Sequence, residues 1–88
     1  MKIKEDYVLR RVADLWVVLP LAEETVNFNG MIKLNDCGAL LWKELELGCG
    51  VEGLVDAVLA EYSTTREQAR ADVVEFLEKL SKVGCLEP

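Results

Sequence analysis

Two runs of apolar and β-branched residues near the start of the chain predict a pair of β-strands. They occupy residues 7–12 and 15–19 and are separated by Ala13 and Asp14, a short break of the kind that a hairpin turn uses. The second run is apolar throughout rather than alternating, which is typical of a strand that is covered on both faces or is central in its sheet. Pro20 is expected to end this run, because proline has no N–H to donate to a sheet.

A short apolar run at residues 31–34 predicts a third strand. Asn29-Gly30 precedes it and accepts the positive φ of a tight turn, which would let residues 26–28 pair with this strand locally. The chain then enters a helix, for which Asn35 or Asp36 provides a cap. If this strand is the last one before the helices, one of its edges is unpaired and offers free backbone N–H and C=O groups to another strand.

Apolar residues at helical spacing predict helices in the second half of the chain. The first helix is expected over residues 36–46 and the second over residues 51–62, with Gly48 and Gly50 between them. Both helices show an apolar face opposite a charged one. They are therefore expected to pack against the sheet and against each other.

A third helix is expected to open among consecutive hydroxyl residues and to extend to about Val83. Thr64 and Glu67 have the spacing of a capping box, and Thr65 is a competing cap. Gly84 lies where a glycine in the left-handed region would close the helix. The residues that follow it are expected to tuck the tail back toward the core.

This order of elements predicts an α+β fold, a small antiparallel sheet of about three strands followed by three helices. A winged helix-turn-helix is the nearest named shape. The chain shows no internal repeat and no low-complexity linker, so residues 1–88 are expected to form a single domain.

The composition favours a folded protein and argues against acidic partners. Hydrophobic residues make up 51% of the 88 residues and charged residues 30%, which is enough apolar material for a packed core. The net charge of −6 opposes binding to phosphate backbones and anionic lipid surfaces, and the third helix carries Asp72, Glu75 and Glu78 where a DNA-binding helix would meet phosphates. We therefore expect no nucleic acid and no membrane as partner. The lack of a basic-then-apolar leader and of an apolar run of about 18 residues favours the cytoplasm.

The chain lacks the side chains that most catalytic and metal sites require. It has no histidine, and its cysteines, Cys37, Cys49 and Cys85, show no Cys-x-x-Cys spacing. The carboxylates are scattered over helix faces, and the glycines between the helices follow no strand, as those of a phosphate loop would. These patterns predict a protein that is not an enzyme, holds no metal or cofactor and keeps its cysteines as reduced thiols.

Several segments together resemble the PqqD-like family. The segment Leu34-Asn35-x-x-Gly38-Ala39-x-x-Trp42 leads from the third strand into the first helix in the way typical of that family. The other matching segments are Tyr7-Val8-Leu9-Arg10, Phe28-Asn29-Gly30-Met31-Ile32-Lys33-Leu34-Asn35, Asp72-Val73-Val74-Glu75-Phe76-Leu77 and Gly84-Cys85-Leu86. The resemblance therefore spans nearly the whole chain.

The resemblance implies a peptide chaperone, a recognition element for ribosomally made natural-product precursors. Such proteins bind the leader segment of the precursor and present it to a modifying enzyme, in many cases a radical S-adenosylmethionine enzyme. In the family the leader adds as an antiparallel strand to the last strand of the sheet and rests in a groove beside the third helix. Carried onto this chain, the implied peptide-binding residues are Met31, Ile32, Lys33, Leu34, Asp72, Val73, Phe76, Lys79 and Leu80.

Phe76 is the preferred anchor for the peptide, and a monomer or weak dimer is expected. Asp36 and Cys37 depart from the Glu and the Thr or Val that many relatives carry, which preserves a helix cap but changes the lip of the groove. Trp16 and Trp42 are interpreted as core residues rather than as part of the site.

Plainer interpretations of the same residues remain open at this level. Residues 31–34 also suit an ordinary internal strand, Val73 and Phe76 suit simple core packing, and Asp72 and Lys79 suit solvated helix charges. The alternative function is an acidic winged-helix module for protein–protein assembly or dimerisation that binds no leader. A fold alone does not decide between these functions.

Overall fold

The computed structural model describes residues 2–4, 7–20 and 32–87. Met31 and the proposed pairing across Asn29-Gly30 lie outside the described residues. The strands are β1 (Lys2–Ile3), β2 (Tyr7–Val12), β3 (Leu15–Pro20), β4 (Ile32–Leu34) and β5 (Leu86–Glu87). The helices are α1 (Asp36–Leu47), α2 (Val51–Glu61) and α3 (Arg66–Val83).

The strands β2, β3 and β4 form an antiparallel sheet in that order, as the sequence predicted. Val12 pairs with Leu15 across a turn of Ala13 and Asp14, which confirms the predicted hairpin. Ala13 has a φ of 54°, in the left-handed region that L-residues other than glycine rarely adopt. The hairpin therefore carries a local conformational penalty at this alanine.

Strand β3 lies in the middle of the sheet, which explains why its sequence does not alternate. Val17 and Val18 follow one another and point to opposite faces, yet they are only 3% and 1% exposed. Val18 lies opposite Ile32 of β4, and Val17 lies opposite Lys33. Strand β4 is thus held by β3 along one edge, and no other strand of the described ranges lies along its second edge.

Side-chain and glycine caps set the ends of two helices. The Asn35 side chain caps α1, because its Oδ1 accepts a hydrogen bond from the Gly38 N–H at 2.7 Å. Thr65, not Thr64, caps α3, since its hydroxyl oxygen accepts from the Gln68 N–H at 3.1 Å. Gly84 has a φ of 89° and closes α3 in the left-handed region, as predicted.

The hydrophobic core lies between the sheet and the three helices. Trp42 of α1 is fully buried there, in agreement with its interpretation as a core residue, whereas Trp16 is half-buried at the edge. The other large and fully buried side chains are Leu41, Leu45, Leu54, Leu80, Val18, Val55, Val73 and Cys85. No described helix is long and apolar enough to cross a membrane.

A second, two-stranded sheet joins the beginning of the described chain to its end. Ile3 of β1 pairs with Leu86 of β5, and the Lys4 N–H donates to the Cys85 carbonyl at 2.8 Å. This pairing was not predicted, because strands of two residues carry no periodic pattern. It holds the tail against the core, as the residues after α3 suggested.

The turn at Ala13 gives a stability prediction. We expect Ala13→Gly to raise the free energy of unfolding by about 0.5–1 kcal/mol. Glycine has no Cβ and so avoids the steric cost of positive φ, and this gain is larger than the extra conformational entropy that glycine loses on folding. Urea denaturation measures the change. The matched control is Ala60→Gly on the exposed side of α2, which should lower stability by about 1 kcal/mol. A loss of stability in both variants would contradict the strained turn.

Candidate functional site

A groove of about 620 Å³ lies between strand β4, the start of α1 and the exposed side of α3. It is open along its length and has both apolar and charged lining groups. The lining residues are Leu15, Lys33, Leu34, Asn35, Cys37, Gly38, Leu41, Asp72, Glu75, Phe76 and Lys79. Among the residues that the structure describes, no cluster of side chains suits a metal ion.

Gly38 allows the walls of the groove to come together. A methyl group at Gly38 would lie 3.2 Å from the Leu34 Cβ and 3.4 Å from Cε1 of Phe76. The first distance is tighter than most real contacts and the second is at the edge of the ordinary range, so Gly38 relieves crowding where β4, α1 and the Phe76 ring meet. The ring is half-buried, packs on the core and borders the groove.

The helical repeat of α3 decides which predicted residues reach the groove. Successive residues are rotated by about 100°, so Val73 and Leu80, seven apart, lie within about 20° of each other. Both are fully buried in the core. Asp72 and Lys79 form a second pair at the same spacing, on the groove side together with Phe76.

Val73 and Leu80 therefore do not form the groove wall that the resemblance implied. They lie in the core behind the groove wall, whereas Phe76 contacts both the core and the groove. Of the implied strand residues, Lys33 and Leu34 line the groove, and Ile32 is buried at its end with 5% exposure. Asp72, Phe76 and Lys79 line it from α3.

The structure adds Gly38 and Leu15 to the groove, and it places Cys37, which the resemblance put at the lip, among the lining residues. Gly38 and Cys37 follow the strand in the matching segment and reach the groove from the first turn of α1. Leu15 reaches it from the hairpin with a side chain that is largely exposed. The signal for Gly38 in the sequence was its position three residues after Asn35, the helix cap. No local sequence pattern marks Leu15 as a groove residue.

Asp72 influences the chemistry of the groove. Its Oδ1 accepts a hydrogen bond from the Gln68 side-chain amide at 2.9 Å. Burial, and secondly the negative charge of Asp72, raise the pKa of the Cys37 thiol above its ordinary value. The thiol is therefore protonated at neutral pH and presents a small, weakly polar surface.

Trp16 connects the hairpin to the start of α1. Its indole N–H donates to Oδ1 of Asp36 at 3.1 Å. The Arg11 guanidinium and the Lys43 ammonium lie 5.1 Å and 4.6 Å from the ring centre, within the range of cation–π attraction. These contacts join the hairpin to the first two turns of α1.

The arginines at the start of α3 are directed toward α2. Arg66 binds Asp56 at 2.7 Å and Glu52 at 3.3 Å, and Arg70 also pairs with Glu52. The Arg70 hydrogen bond lowers the pKa of Glu52, and the same contact raises the pKa of Arg70. These pairs are solvent-exposed and individually weak, but they join the two helices and leave the lysines as the cations that line the groove.

Comparison with a family model places the chain. The model described as "Coenzyme PQQ synthesis protein D (PqqD)" matches residues 16–86. The chain belongs to the PqqD family. The matched range includes β3 from its second residue, β4 and all three helices, so it contains every groove residue except Leu15.

Solved structures share the fold over nearly the whole length. The structure of TbiB1 in complex with the TbiA(beta) leader peptide has a TM-score of 0.78 and 33% sequence identity, covering 99% of this chain and 95% of that one. A lasso peptide synthetase B1 complexed with the leader peptide has a TM-score of 0.77 and 20% identity, covering 99% and 96%. At that identity the second likeness concerns the fold, and together they confirm the predicted winged-helix-like α+β architecture.

One curated relative is much longer than this chain. The ribosomal RNA small subunit methyltransferase G of Zymomonas mobilis subsp. mobilis is 33% identical over 75 residues, which cover 85% of this chain and 32% of that protein. The chain thus spans about a third of the length of this relative.

The contact between Asp72 and Cys37 gives a chemical prediction. Asp72→Asn removes the negative charge beside the thiol, so the pKa of Cys37 should fall, although burial continues to hold it up. At a fixed pH below that pKa, a larger thiolate fraction should alkylate faster. Mass spectrometry after iodoacetamide treatment, resolved by peptide, measures the rate at Cys37.

Glu78→Gln is the matched control, because Glu78 is exposed on α3 and does not line the groove. It should leave the Cys37 rate unchanged, and Cys49 serves as an internal reference in both variants. Equal Cys37 rates in Asp72→Asn and in the unchanged protein would contradict the proposed charge effect.

Proposed function

We propose that this protein binds the leader segment of a ribosomally synthesised precursor peptide by strand addition to β4 and presents the precursor to a modifying enzyme. The second edge of β4, opening onto a groove bordered by Phe76, is the observation that carries the proposal. Membership of the PqqD family and the TbiB1 leader complex at 33% identity support it.

Strand addition suits the geometry of β4. Residues of an antiparallel strand direct their N–H and C=O groups alternately to the two sides, and β3 occupies one side. The groups free for a peptide are therefore those of Lys33 or those of Ile32 and Leu34, whichever set does not bind β3. Each hydrogen bond contributes about 0.5–1.5 kcal/mol net, and ordering a flexible peptide offsets much of that gain.

Apolar contacts in the groove then decide the affinity. Side chains of an added strand point alternately away from and into the groove, so every second leader residue faces α3. The Phe76 ring, Leu34 and Leu41 offer an apolar surface there, and Gly38 adds no side chain that would cover it. The backbone of β4 thus provides general affinity, and the groove provides selection.

The protein has a non-catalytic role in this proposal. Its partner is a separate enzyme that modifies the presented peptide. We propose a radical S-adenosylmethionine enzyme, because many members of the family work with enzymes of that class. The encounter takes place where precursors are made, in the cytoplasm. It requires neither nucleic acid nor a membrane surface.

Amide hydrogen exchange tests strand addition directly. The probes are synthetic leaders from short reading frames beside the gene, titrated while the β4 amides are observed by NMR. We expect one alternating set, either Lys33 or both Ile32 and Leu34, to exchange rapidly in the free protein and to become protected with peptide. The other set, bonded to β3, is the internal control.

Two results would argue against the proposal. Protection of neither set with any neighbouring peptide, or shifts confined to a surface away from the groove, would contradict leader binding. Protection of the outer set that rises with protein concentration alone would instead favour the dimerisation module, with β4 pairing to a second copy.

A second prediction concerns the anchor. Phe76→Ala should weaken leader binding by at least tenfold, because the ring borders the groove. Its effect on unfolding should be smaller than the about 3–5 kcal/mol typical of a fully buried phenylalanine, since this ring is half-buried. Calorimetric titration and urea denaturation of the same sample measure both effects.

Leu77→Ala is the control for this variant. Leu77 is next in sequence, 9% exposed and directed to the core, so its loss should lower stability while the folded protein keeps its affinity. The anchor role is wrong if the two variants change affinity equally.

A further inference from the structure

Charged residues on α3 flank the apolar centre of the groove in a fixed order. Asp72 precedes Phe76 by one helical turn, and Lys79 follows it by nearly one turn. The seven-residue spacing puts Asp72 and Lys79 on the same side of the helix, about 10.5 Å apart along its axis. Glu75 adds a second carboxylate on the Asp72 side of the ring.

The opposite wall carries one charge, at its basic end. Strand β4 leads through Asn35 into Cys37, whose thiol feels the charge of Asp72, so the chain leaves β4 toward the acidic end of α3. Lys33 lies before that exit, on the side of Leu34 away from Cys37. The α3 wall therefore runs from carboxylate to lysine, and the β4–α1 wall runs from a neutral thiol to a lysine in the same direction.

These groove charges are available to a ligand. Within residues 2–4, 7–20 and 32–87, neither Lys33, Lys79 nor Glu75 takes part in an ion pair. Arg66 and Arg70 are committed to carboxylates of α2 instead. The charge order of the groove is thus not neutralised by the neighbouring basic residues of the same helix.

We infer that the groove selects leaders by charge order, with a basic side chain before the apolar anchor residue and an acidic side chain after it. The inference rests on the proposed function. A strand antiparallel to β4 enters beside Cys37 and Asp72 and leaves toward Lys33 and Lys79. Side chains two residues before and after the anchor point to the same wall and lie about 13 Å apart, a separation that flexible lysine and carboxylate side chains can match.

A peptide selection tests this order without knowledge of the natural precursor. A displayed library of random 12-residue peptides is selected on the unchanged protein, on the charge-exchanged variant Asp72→Lys/Lys79→Glu, and on the control Glu78→Lys/Lys82→Glu. The control exchanges charges on the same helix, conserves net charge and leaves the groove lining intact. Enriched peptides are synthesised and tested for their ability to shield Cys37 from iodoacetamide, which reports binding in the groove.

We expect the unchanged protein and the control to enrich Lys or Arg before an apolar residue and Asp or Glu after it. The charge-exchanged variant should enrich the reverse order. Exchanging the two charges within one enriched peptide should change Kd by about three- to tenfold on the unchanged protein, because each partly exposed pair contributes modestly. This discrimination should shrink as salt is raised.

The outcomes separate the two proposals. Charge selection is wrong if the enriched peptides bind the groove with no charge order or with the reverse order. It is also wrong if the charge-exchanged variant enriches the same order as the unchanged protein. Each of these results leaves leader binding in place. A selection in which no enriched peptide shields Cys37 would overturn leader binding in this groove, and charge selection with it. Far-ultraviolet circular dichroism of each variant confirms that the fold is retained.

Discussion

The close approach at Gly38 is the contact on which both the fold and the groove depend. There the end of β4, the first turn of α1 and the Phe76 ring of α3 meet so closely that a side chain at Gly38 would press on Leu34 and touch the ring. Asn35 fixes the turn by capping α1 through the Gly38 N–H itself. One small residue thereby lets the end of the strand and the aromatic ring of the helix approach each other at the groove.

The two faces of α3 next to this contact have different roles. Residues of α3 that face inward, among them Val73 and Leu80, are fully buried and hold the helix against α1 and α2. Those on the groove side, Asp72, Glu75 and Lys79, are charged and exposed and flank a single aromatic ring. Because the two sets lie on different faces, the groove can change in sequence without loss of core packing.

The sequence predicted most of the fold because the long elements carry periodic signals. The helix bounds agree to within one residue at most ends, and the β2–β3 hairpin is where the two β-rich runs placed it. Thr65 replaced Thr64 as the cap because the two hydroxyls are adjacent, and only the backbone geometry distinguishes them. The β1–β5 pair was missed because two residues cannot display a period.

The site was predicted less completely, and α3 shows why. Apolar residues at helical spacing identify the apolar face of a helix but not which part of that face contacts the core. Val73, Leu80 and Phe76 were therefore all assigned to the groove. Phe76 lies about 60° from Val73 and about 40° from Leu80 around the helix, far enough to reach the groove. Leu15 reaches the groove through sheet geometry, which no pattern local to the hairpin records.

The two tryptophans occupy different surroundings, and this gives the protein a built-in optical contrast. Trp42 is sealed in the core, whereas Trp16 is half-buried, bonded to Asp36 and flanked by Arg11 and Lys43. Emission from the core indole reports global unfolding. Trp16 is hydrogen-bonded to Asp36, and Asp36 is followed by the groove residue Cys37. Emission from Trp16 therefore reports the state of the site while the core remains intact.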